Sequence, residues 1–333
     1  MQSLPLAQLQ FWTVLSMKDR YGREICYLRL SVTELCNLRC RYCMPEDGIC
    51  KKRHEDMLTE DEMIQAVEVA ASLGVHKLRI TGGEPLVKKN ILSICRRAAD
   101  VKGIEELCLT TNGTLLSGLA ADLKEAGVRR INLSLDTLDP ERYAHITRRG
   151  SLKDALDGLE KALSVGFDQV KINTVLMGGV NDGEIAQLAE LTKQYPVDVR
   201  FIELMPMQEQ DEFGSDAFIP CSRVLQELPQ LEKLPFDGSD VKLYRLPHGK
   251  GNIGLISPLS EHFCGKCNRI RLTADGKLKP CLHSSEEISI KGMSRQEVEQ
   301  QFRRAILAKP PCHGALSATD RSAAGRNMNR IGG

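Results

Sequence analysis

Three cysteines in a C-x3-C-x2-C spacing, Cys36, Cys40 and Cys43, are the residues of this sequence best suited to chemistry. They follow a short apolar run, so the spacing predicts three thiolates on a tight loop at the end of a strand. Three thiolates bind three irons of a [4Fe–4S] cluster and leave the fourth open to a small ligand, whereas a ferredoxin site uses four. Three of four zinc ligands, or unrelated buried thiols, are the alternative interpretations. We call this group the first cysteine site.

A second cysteine site lies near the C-terminus and consists of Cys264, Cys267 and, after thirteen intervening residues, Cys281. Residues 269–282 have the pattern of a β-hairpin, which would return the last cysteine to the side of the first two. On spacing alone, the group fits either a second cluster or a zinc site completed by His262 or His283.

Composition limits the functions open to the chain. Its 333 residues include 45 Lys and Arg against 44 Asp and Glu, so the net charge of +1 does not favour nucleic acid or an anionic membrane. No apolar run is long enough to span a bilayer. Residues 1–17 lack the basic residues of a signal or transit peptide. Grouped cysteines in such a chain predict a metalloprotein of the reducing cytoplasm.

The elements that must position these cysteines alternate along the chain. Short apolar runs predict strands at 27–32, 77–80, 106–109, 130–133, 169–175 and 197–202. Segments of helical periodicity lie between them at 59–73, 90–100, 116–126, 151–165 and 182–194. This alternation predicts βαβ units and an α/β fold, an incomplete parallel (βα)6-type TIM barrel.

Three regions follow from this pattern. Residues 1–18 form an N-terminal extension, and residues 19–207 form the partial barrel. Residues 208–333, with shorter strand-like pieces and one helix near 294–307, form a C-terminal α+β extension that carries the second cysteine site.

The motif Thr81-Gly82-Gly83-Glu84-Pro85 follows the second predicted strand. Its two glycines allow a ligand to approach the backbone closely, and Glu84 can add a carboxylate. Together with the first cysteine site, the motif resembles the radical S-adenosylmethionine superfamily. That resemblance implies an S-adenosylmethionine site at the top face of the barrel, with contacts from Tyr42, Gly83, Ser134 and Met205.

The presence of two three-cysteine sites narrows the resemblance. The stretches 28–33, 79–86, 109–113, 130–136, 200–205 and 263–272, with the terminal Gly332 and Gly333, resemble the GTP 3′,8-cyclase family of molybdenum cofactor biosynthesis. This implies two [4Fe–4S] clusters, S-adenosylmethionine as cofactor and GTP as substrate. It also implies that GTP is held by Arg29, Arg79, Thr110, Lys171, Arg269 and Arg271.

Physical reasoning supports a local site for a triphosphate. The sequence holds no Walker P-loop, so the charge must come from Arg and Lys at strand ends. Arg269 and Arg271 alternate along one strand and therefore share a face. Gly332 and Gly333 have no side chains, and we expect them to enter a narrow active-site mouth rather than fray as most chain ends do.

The family resemblance also implies partners. These are a reductant protein of the flavodoxin or ferredoxin type and, downstream, a cyclic pyranopterin synthase, and it allows a homodimer; neither membrane nor nucleic acid is expected. Three other classes are alternatives to this one. The first is a radical enzyme that modifies peptides and carries an auxiliary cluster, and the second is a zinc or iron–sulfur scaffold without catalysis. The third, a radical enzyme that modifies nucleic acid, is disfavoured by the near-zero net charge.

Overall fold

Six parallel strands alternate with helices through the first two thirds of the chain. The computed structural model describes residues 17–50, 52–207, 217–235, 241–314, 316 and 321–332. The predicted N-terminal extension therefore lies almost wholly outside the described residues. The elements of this part are β1 (Tyr27–Ser31), α1 (Glu60–Ser72), β2 (Lys77–Thr81), α2 (Ile91–Ala99), β3 (Glu106–Thr111), α3 (Leu116–Glu125), β4 (Arg130–Ser134), α4 (Pro140–Thr147), α5 (Leu152–Val165), β5 (Gln169–Leu176), α6 (Ile185–Gln194) and β6 (Val197–Glu203).

The C-terminal region extends the same sheet at both of its edges. It contains α7 (Ser222–Glu227), β7 (Glu232–Lys233), β8 (Lys242–Arg245), β9 (Ile253–Ile256), β10 (Arg269–Leu272), β11 (Lys277–Lys279), β12 (Ile288–Ser289), α8 (Arg295–Leu307) and α9 (Met328–Ile331). Strand β9 pairs with β6 and β10 pairs with β1, both in parallel. The described residues thus form one sheet of twelve strands, in the order β12-β11-β10-β1-β2-β3-β4-β5-β6-β9-β8-β7. This confirms the predicted α/β fold.

Helices α1 and α4 begin at residues whose side chains cap them. Thr59 accepts a hydrogen bond from the Glu62 backbone, and the Glu62 carboxylate accepts one from Thr59 in return, which forms a capping box at the start of α1. Helix α4 was not expected, because eight residues give only two turns of periodicity. Its start is nevertheless encoded: Asp139 caps the helix and Pro140 occupies its first turn.

Strand β5 shows how the barrel separates its core from its interior. Buried and partly exposed residues alternate along it. Val170 and Ile172 are buried in the hydrophobic core, while Lys171 and Asn173 line an internal cavity. The period of two therefore leaves a polar inner face on a sheet whose outer face packs against apolar helices. No described helix is both long and apolar enough to cross a bilayer.

Candidate active site

A cavity of about 580 Å³ lies between strands β1 to β6 and β10. All of the site residues predicted from the sequence line it: Arg29, Cys36, Cys40, Tyr42, Cys43, Arg79, Gly83, Thr110, Ser134, Lys171, Met205, Cys264, Cys267, Arg269, Arg271 and Cys281. The fold therefore brings together residues that are far apart in sequence. Their individual roles remain predictions.

The two cysteine sites lie at opposite ends of the strands that bound the cavity. Cys36 follows the carboxyl end of β1, whereas Cys267 precedes the amino end of β10, which runs parallel to β1. Because β11 returns antiparallel to β10, Cys281 comes back beside Cys264 and Cys267. The pKa of the Cys264 thiol is raised, mainly by burial and to a smaller extent by the neighbouring Cys281 and Cys267. The hairpin thus assembles the second cysteine site as expected.

The first cysteine site offers the hydrogen-bond donors that sulfur ligands need. The backbone N–H of Leu38 donates to Cys36 Sγ over 3.3 Å, and the backbone N–H of Asn329 donates to Cys43 Sγ. Burial raises the pKa of Cys36 to about 11 and that of Cys43 to about 12. Without a positive group these thiols stay protonated, and hydrogen bonds to sulfur favour the thiolate form that a cluster binds.

A single metal ion does not fit either cysteine site. Among the described residues, no three His, Cys, Asp or Glu side chains are arranged to hold one ion. His262 Nδ1 lies 3.3 Å from His313 Nε2, and His283 Nδ1 lies 3.0 Å from the Ser322 hydroxyl. In a cluster each thiolate binds a different iron, and the three sulfurs need not converge on one point.

Helix α4 positions the loop of the first cysteine site. The Arg39 N–H donates to the carbonyl oxygen of Thr147, in the last turn of α4, over 3.0 Å. Arg148 ends the helix with φ of 60°, a left-handed conformation that is uncommon outside glycine. Its guanidinium donates to the carbonyl oxygens of Arg39 (2.8 Å) and Met44 (3.2 Å). Arg148 is not predicted by the sequence, because nothing in its spacing relates it to the cysteines.

The glycine motif packs directly against the start of this loop. The Gly83 N–H donates to the Thr33 carbonyl oxygen over 2.7 Å, and the Glu84 N–H donates to the Leu35 carbonyl oxygen over 2.8 Å. A Cβ on Gly83 would overlap the Leu35 carbonyl oxygen, and one on Gly82 would lie 2.7 Å from the Thr33 oxygen. The glycines are therefore required by close approach of two backbones.

Glu84 is anchored within the chain at the wall of the cavity. Its carboxylate accepts hydrogen bonds from the Thr111 hydroxyl (2.7 Å), the Asn112 N–H (2.7 Å) and the Leu86 N–H (3.0 Å). Burial raises its pKa to about 7. Glu84 thus joins the glycine motif to the end of β3, and its role toward a ligand stays a prediction.

The predicted S-adenosylmethionine contacts lie at the carboxyl ends of the strands. Ser134 ends β4, and Met205 follows β6 by two residues. The Tyr42 hydroxyl donates to Asp136 over 2.7 Å, and burial raises the pKa of Asp136 to about 6. The Tyr42 hydroxyl is thus engaged within the protein, which leaves its ring and backbone for a ligand.

Several arginine side chains lie close together on the wall of the cavity. Arg29 faces Arg271 on one neighbouring strand and Arg79 on the other. Burial, then the proximity of Arg29, lowers the pKa of Arg269 to about 10 and that of Arg271 to about 9. The buried Nε of Arg29 has no hydrogen-bond partner within the described ranges. Arginines that lower one another's pKa values, together with a buried N–H donor that has no partner in the described residues, are typical of a site that binds an anion.

Other predicted substrate residues contact one another or the chain. Arg79 donates to the hydroxyls of Tyr27 and Thr110. Lys171 Nζ lies 3.7 Å from Asp198. These contacts hold the side chains in place at the cavity wall.

The penultimate residue of the sequence, Gly332, is buried within the barrel as expected. Arg271 donates to the Gly332 carbonyl oxygen over 2.8 Å. A Cβ on Gly332 would lie 2.5 Å from the Thr81 hydroxyl oxygen, and the residue has φ of 86°. Gly332 is therefore buried in a space that admits no side chain; Gly333 lies outside the described residues.

Two asparagines of the cavity escaped the sequence analysis. Asn132 and Asn173 line it, and the side-chain oxygen of each is buried without a partner among the residues described. The signal that would have found them is the period of two: Asn132 precedes Ser134 by two residues, and Asn173 follows Lys171 by two.

This arrangement defines a class of protein. A parallel barrel with three free thiols beyond the carboxyl end of β1 and a glycine motif after β2 is the site of a radical S-adenosylmethionine enzyme. Residues 30–192 match the Radical SAM superfamily, and residues 197–315 match the family Molybdenum Cofactor Synthesis C.

Comparison with curated relatives identifies the family. The chain is 46% identical over 321 residues to a GTP 3′,8-cyclase of Alkaliphilus oremlandii, covering 95% of this chain and 100% of the relative. It is 47% identical over 320 residues to that of Peptoclostridium acidaminophilum, covering 95% and 98%. The chain belongs to the GTP 3′,8-cyclase family.

Solved structures support the fold. Streptococcus suis SuiB superposes with a TM-score of 0.65 over 88% of this chain and 68% of SuiB, at 14% sequence identity. SuiB bound to its precursor peptide SuiA gives a TM-score of 0.63, covering 88% of this chain and 67% of SuiB at 15% identity. At such identities the likeness concerns the fold alone.

Proposed function

We propose that this chain converts GTP to (8S)-3′,8-cyclo-7,8-dihydroguanosine 5′-triphosphate, the first step of molybdenum cofactor biosynthesis. The observation that carries the proposal is a single cavity that connects two three-thiol sites through a group of buried cations. A peptide-modifying enzyme or a metal scaffold would have no use for Arg29, Arg79 and Arg271 side by side on the cavity wall.

The carboxyl end of the barrel holds the first cluster and S-adenosylmethionine. Cys36, Cys40 and Cys43 bind the cluster, and Tyr42, Gly83, Ser134 and Met205 surround the cofactor. When bound and reduced, this pair supplies abstraction of the 3′ hydrogen atom of GTP. The protein contributes placement and exclusion of water from a buried site.

The substrate occupies the middle of the cavity and the end beside the second cysteine site. Arg29, Arg79, Thr110, Lys171, Arg269 and Arg271 bind the triphosphate and ribose through charge-assisted hydrogen bonds. The second cysteine site holds a cluster on three thiols, which keeps one iron free for the purine. The proposed GTP-binding residues thus come from both predicted regions: Arg29, Arg79, Thr110 and Lys171 from residues 19–207, and Arg269 and Arg271 from residues 208–333.

The partners proposed here follow from the same chemistry. Reduction of the first cluster requires a one-electron donor of the flavodoxin or ferredoxin type, and the cyclised nucleotide requires a cyclic pyranopterin synthase to consume it. A homodimer is also compatible with the family. All twelve cysteines lie within the described ranges and none forms a disulfide, which supports the reducing cytoplasm as the compartment.

Cysteine replacement after anaerobic reconstitution tests the proposal. We expect about eight irons per chain in the native protein, with about four lost in Cys40→Ala together with all formation of 5′-deoxyadenosine. Cys267→Ala should keep 5′-deoxyadenosine formation and lose the cyclised nucleotide. Cys50→Ala is the matched control, because Cys50 is an exposed thiol beyond the same loop. Undiminished 5′-deoxyadenosine from Cys40→Ala would refute the assignment.

A further inference from the structure

The last described residues of the chain, 321–332, touch both parts of the site, and we call them the tail. The Asn329 N–H donates to Cys43 Sγ of the first cysteine site, and its side-chain amide donates to the Glu34 carbonyl oxygen over 3.0 Å. Three residues later, the Gly332 carbonyl oxygen accepts from Arg271. The tail therefore links a ligand thiol to a substrate-binding cation.

Arg326 fastens the tail to the C-terminal region through two carboxylates. Its Nη1 and Nη2 each donate to one oxygen of Asp275 over 2.9 Å. Its Nε and Nη2 donate to the two oxygens of Glu287 over 2.6 Å and 2.5 Å. The side chain is 12% exposed. One guanidinium thus makes two bidentate pairs, the strongest geometry available to an ion pair in proteins.

The two carboxylates belong to elements that are fixed without the tail. Asp275 lies in the turn between β10 and β11, and Glu287 directly precedes β12. Burial alone would raise the pKa of Asp275, but hydrogen bonds from Arg326 and Lys52 hold it well below its usual range. Glu287 also pairs with the buried Lys279 over 3.2 Å. Each carboxylate therefore keeps a cation when Arg326 is removed, and the sheet stays intact.

Other polar contacts also reach the tail. His283 Nδ1 lies 3.0 Å from the Ser322 hydroxyl, Lys279 donates to the Ala324 carbonyl oxygen over 3.5 Å, and Arg330 Nε lies 3.7 Å from Glu34. The Ser322 N–H donates to the Pro206 carbonyl oxygen over 2.8 Å, and Arg330 donates to the Cys50 carbonyl oxygen over 2.8 Å. Its buried apolar side chains, Ala324 and Ile331, form only a small cluster with Met207. A short segment with so little apolar burial depends strongly on its ion pairs for order.

We propose that Arg326 is a positioning residue for the reaction. Its paired carboxylates hold the tail so that Asn329 reaches Cys43 and Gly332 reaches Arg271. The inference rests on the proposed function. Without Arg326, radical generation continues, but the substrate cation and the ligand thiol lose their fixed relation, and cleavage of S-adenosylmethionine becomes uncoupled from cyclisation.

The test compares Arg326→Gln and Arg326→Lys with Arg295→Gln in reconstituted holoprotein. Arg295 is a matched control because its ion pair with Glu68 is about half exposed, on α8 of the same region. Hydrogen exchange followed by mass spectrometry measures the rate of amide exchange, and hence the structural order, of residues 327–332 in the absence of substrate. Anaerobic turnover then gives the ratio of cyclised nucleotide to 5′-deoxyadenosine.

In Arg326→Gln we expect at least tenfold faster exchange in the tail and an at least tenfold lower coupling ratio. Iron content and 5′-deoxyadenosine formation should stay within twofold of the native protein. Arg326→Lys keeps the positive charge but cannot make the bidentate hydrogen bonds, so its tail exchange and its coupling ratio should lie between those of the native protein and Arg326→Gln. Arg295→Gln should change neither quantity.

Three results would overturn the proposal: unchanged tail exchange in Arg326→Gln, faster exchange with native coupling, or equal loss of coupling in Arg295→Gln. If Arg326→Gln loses iron, the better-folded Arg326→Lys decides by the same two readouts. Failure of the proposed function is distinguishable, because the native protein itself would then form 5′-deoxyadenosine without any cyclised nucleotide.

Discussion

Lys171 is a cavity cation whose charge depends on what fills the cavity. Burial, and next the neighbouring Arg200, lowers its pKa to about 7, although Asp198 lies only 3.7 Å away. A bound triphosphate would favour the charged amine. We therefore predict that GTP binding takes up a proton at Lys171 and weakens as the pH rises.

The magnitude follows from the pKa. With a pKa of about 7, roughly nine tenths of the amines are charged at pH 6 and roughly one tenth at pH 8. If only the charged form binds GTP, the apparent Kd rises about tenfold between these values, or about 1.4 kcal/mol. Stability has the opposite trend: the unfolded chain, with an ordinary lysine pKa of 10.5, binds more protons, so unfolding becomes harder as pH rises from 7 toward 10.5.

Anaerobic calorimetry in two buffers of different ionisation heat measures both the Kd and the protons taken up. Lys171→Arg is the control, since arginine stays charged throughout and any titration of GTP itself is common to both proteins. We expect uptake of about 0.9 protons at pH 8 in the native protein beyond that in Lys171→Arg. Equal pH slopes in the two proteins would refute the reasoning.

Three further substitutions test the packing of the site. Gly83→Ala places a Cβ on a backbone oxygen of the cysteine loop. Urea unfolding should therefore show a free energy of unfolding lower by about 1–3 kcal/mol, and the first cluster should be lost. The control Gly118→Ala, in open space on α3, should be neutral or stabilising. Arg148→Gly relieves a left-handed backbone but frees the cysteine loop, and oxygen should bleach the first cluster's absorbance several times faster than in the native protein; native bleaching would contradict this role. Gly332→Ala should abolish cyclisation, while iron analysis should show both clusters retained. The control is Gly325→Ala, which is also at positive φ but has no atom near its Cβ, and it should stay active. Equal activities of the two variants would show that the close packing around Gly332 is not needed.

The barrel strands could be predicted because each is an apolar run bounded by polar residues. The run predicted at 169–175 is found as β5, Gln169–Leu176. Helix α4 was missed because two turns carry little periodicity, although Asp139 and Pro140 mark its start. The order in which β9 and β10 join the sheet depends on pairings between distant segments, which no local pattern encodes.

The site was predictable where residue type and spacing coincide, as in the two cysteine sites and the alternating arginines of β10. It was not predictable where a residue acts through contacts made by the fold. Arg326 meets Asp275 across 51 residues of sequence, and Arg148 reaches the cysteine loop across more than a hundred. The hydrogen bonds of Glu84 to Thr111 and Asn112 are a further example, because the motif itself does not reveal them.

The central claim is that the cavity between the two cysteine sites presents the 3′ carbon of GTP to the S-adenosylmethionine site. Anaerobic incubation with GTP deuterated at the 3′ position, followed by mass spectrometry of 5′-deoxyadenosine, tests it most directly. We predict one deuterium transferred to 5′-deoxyadenosine, with a cyclised nucleotide formed in parallel. Deuterium-free 5′-deoxyadenosine in the presence of saturating GTP would contradict the claim.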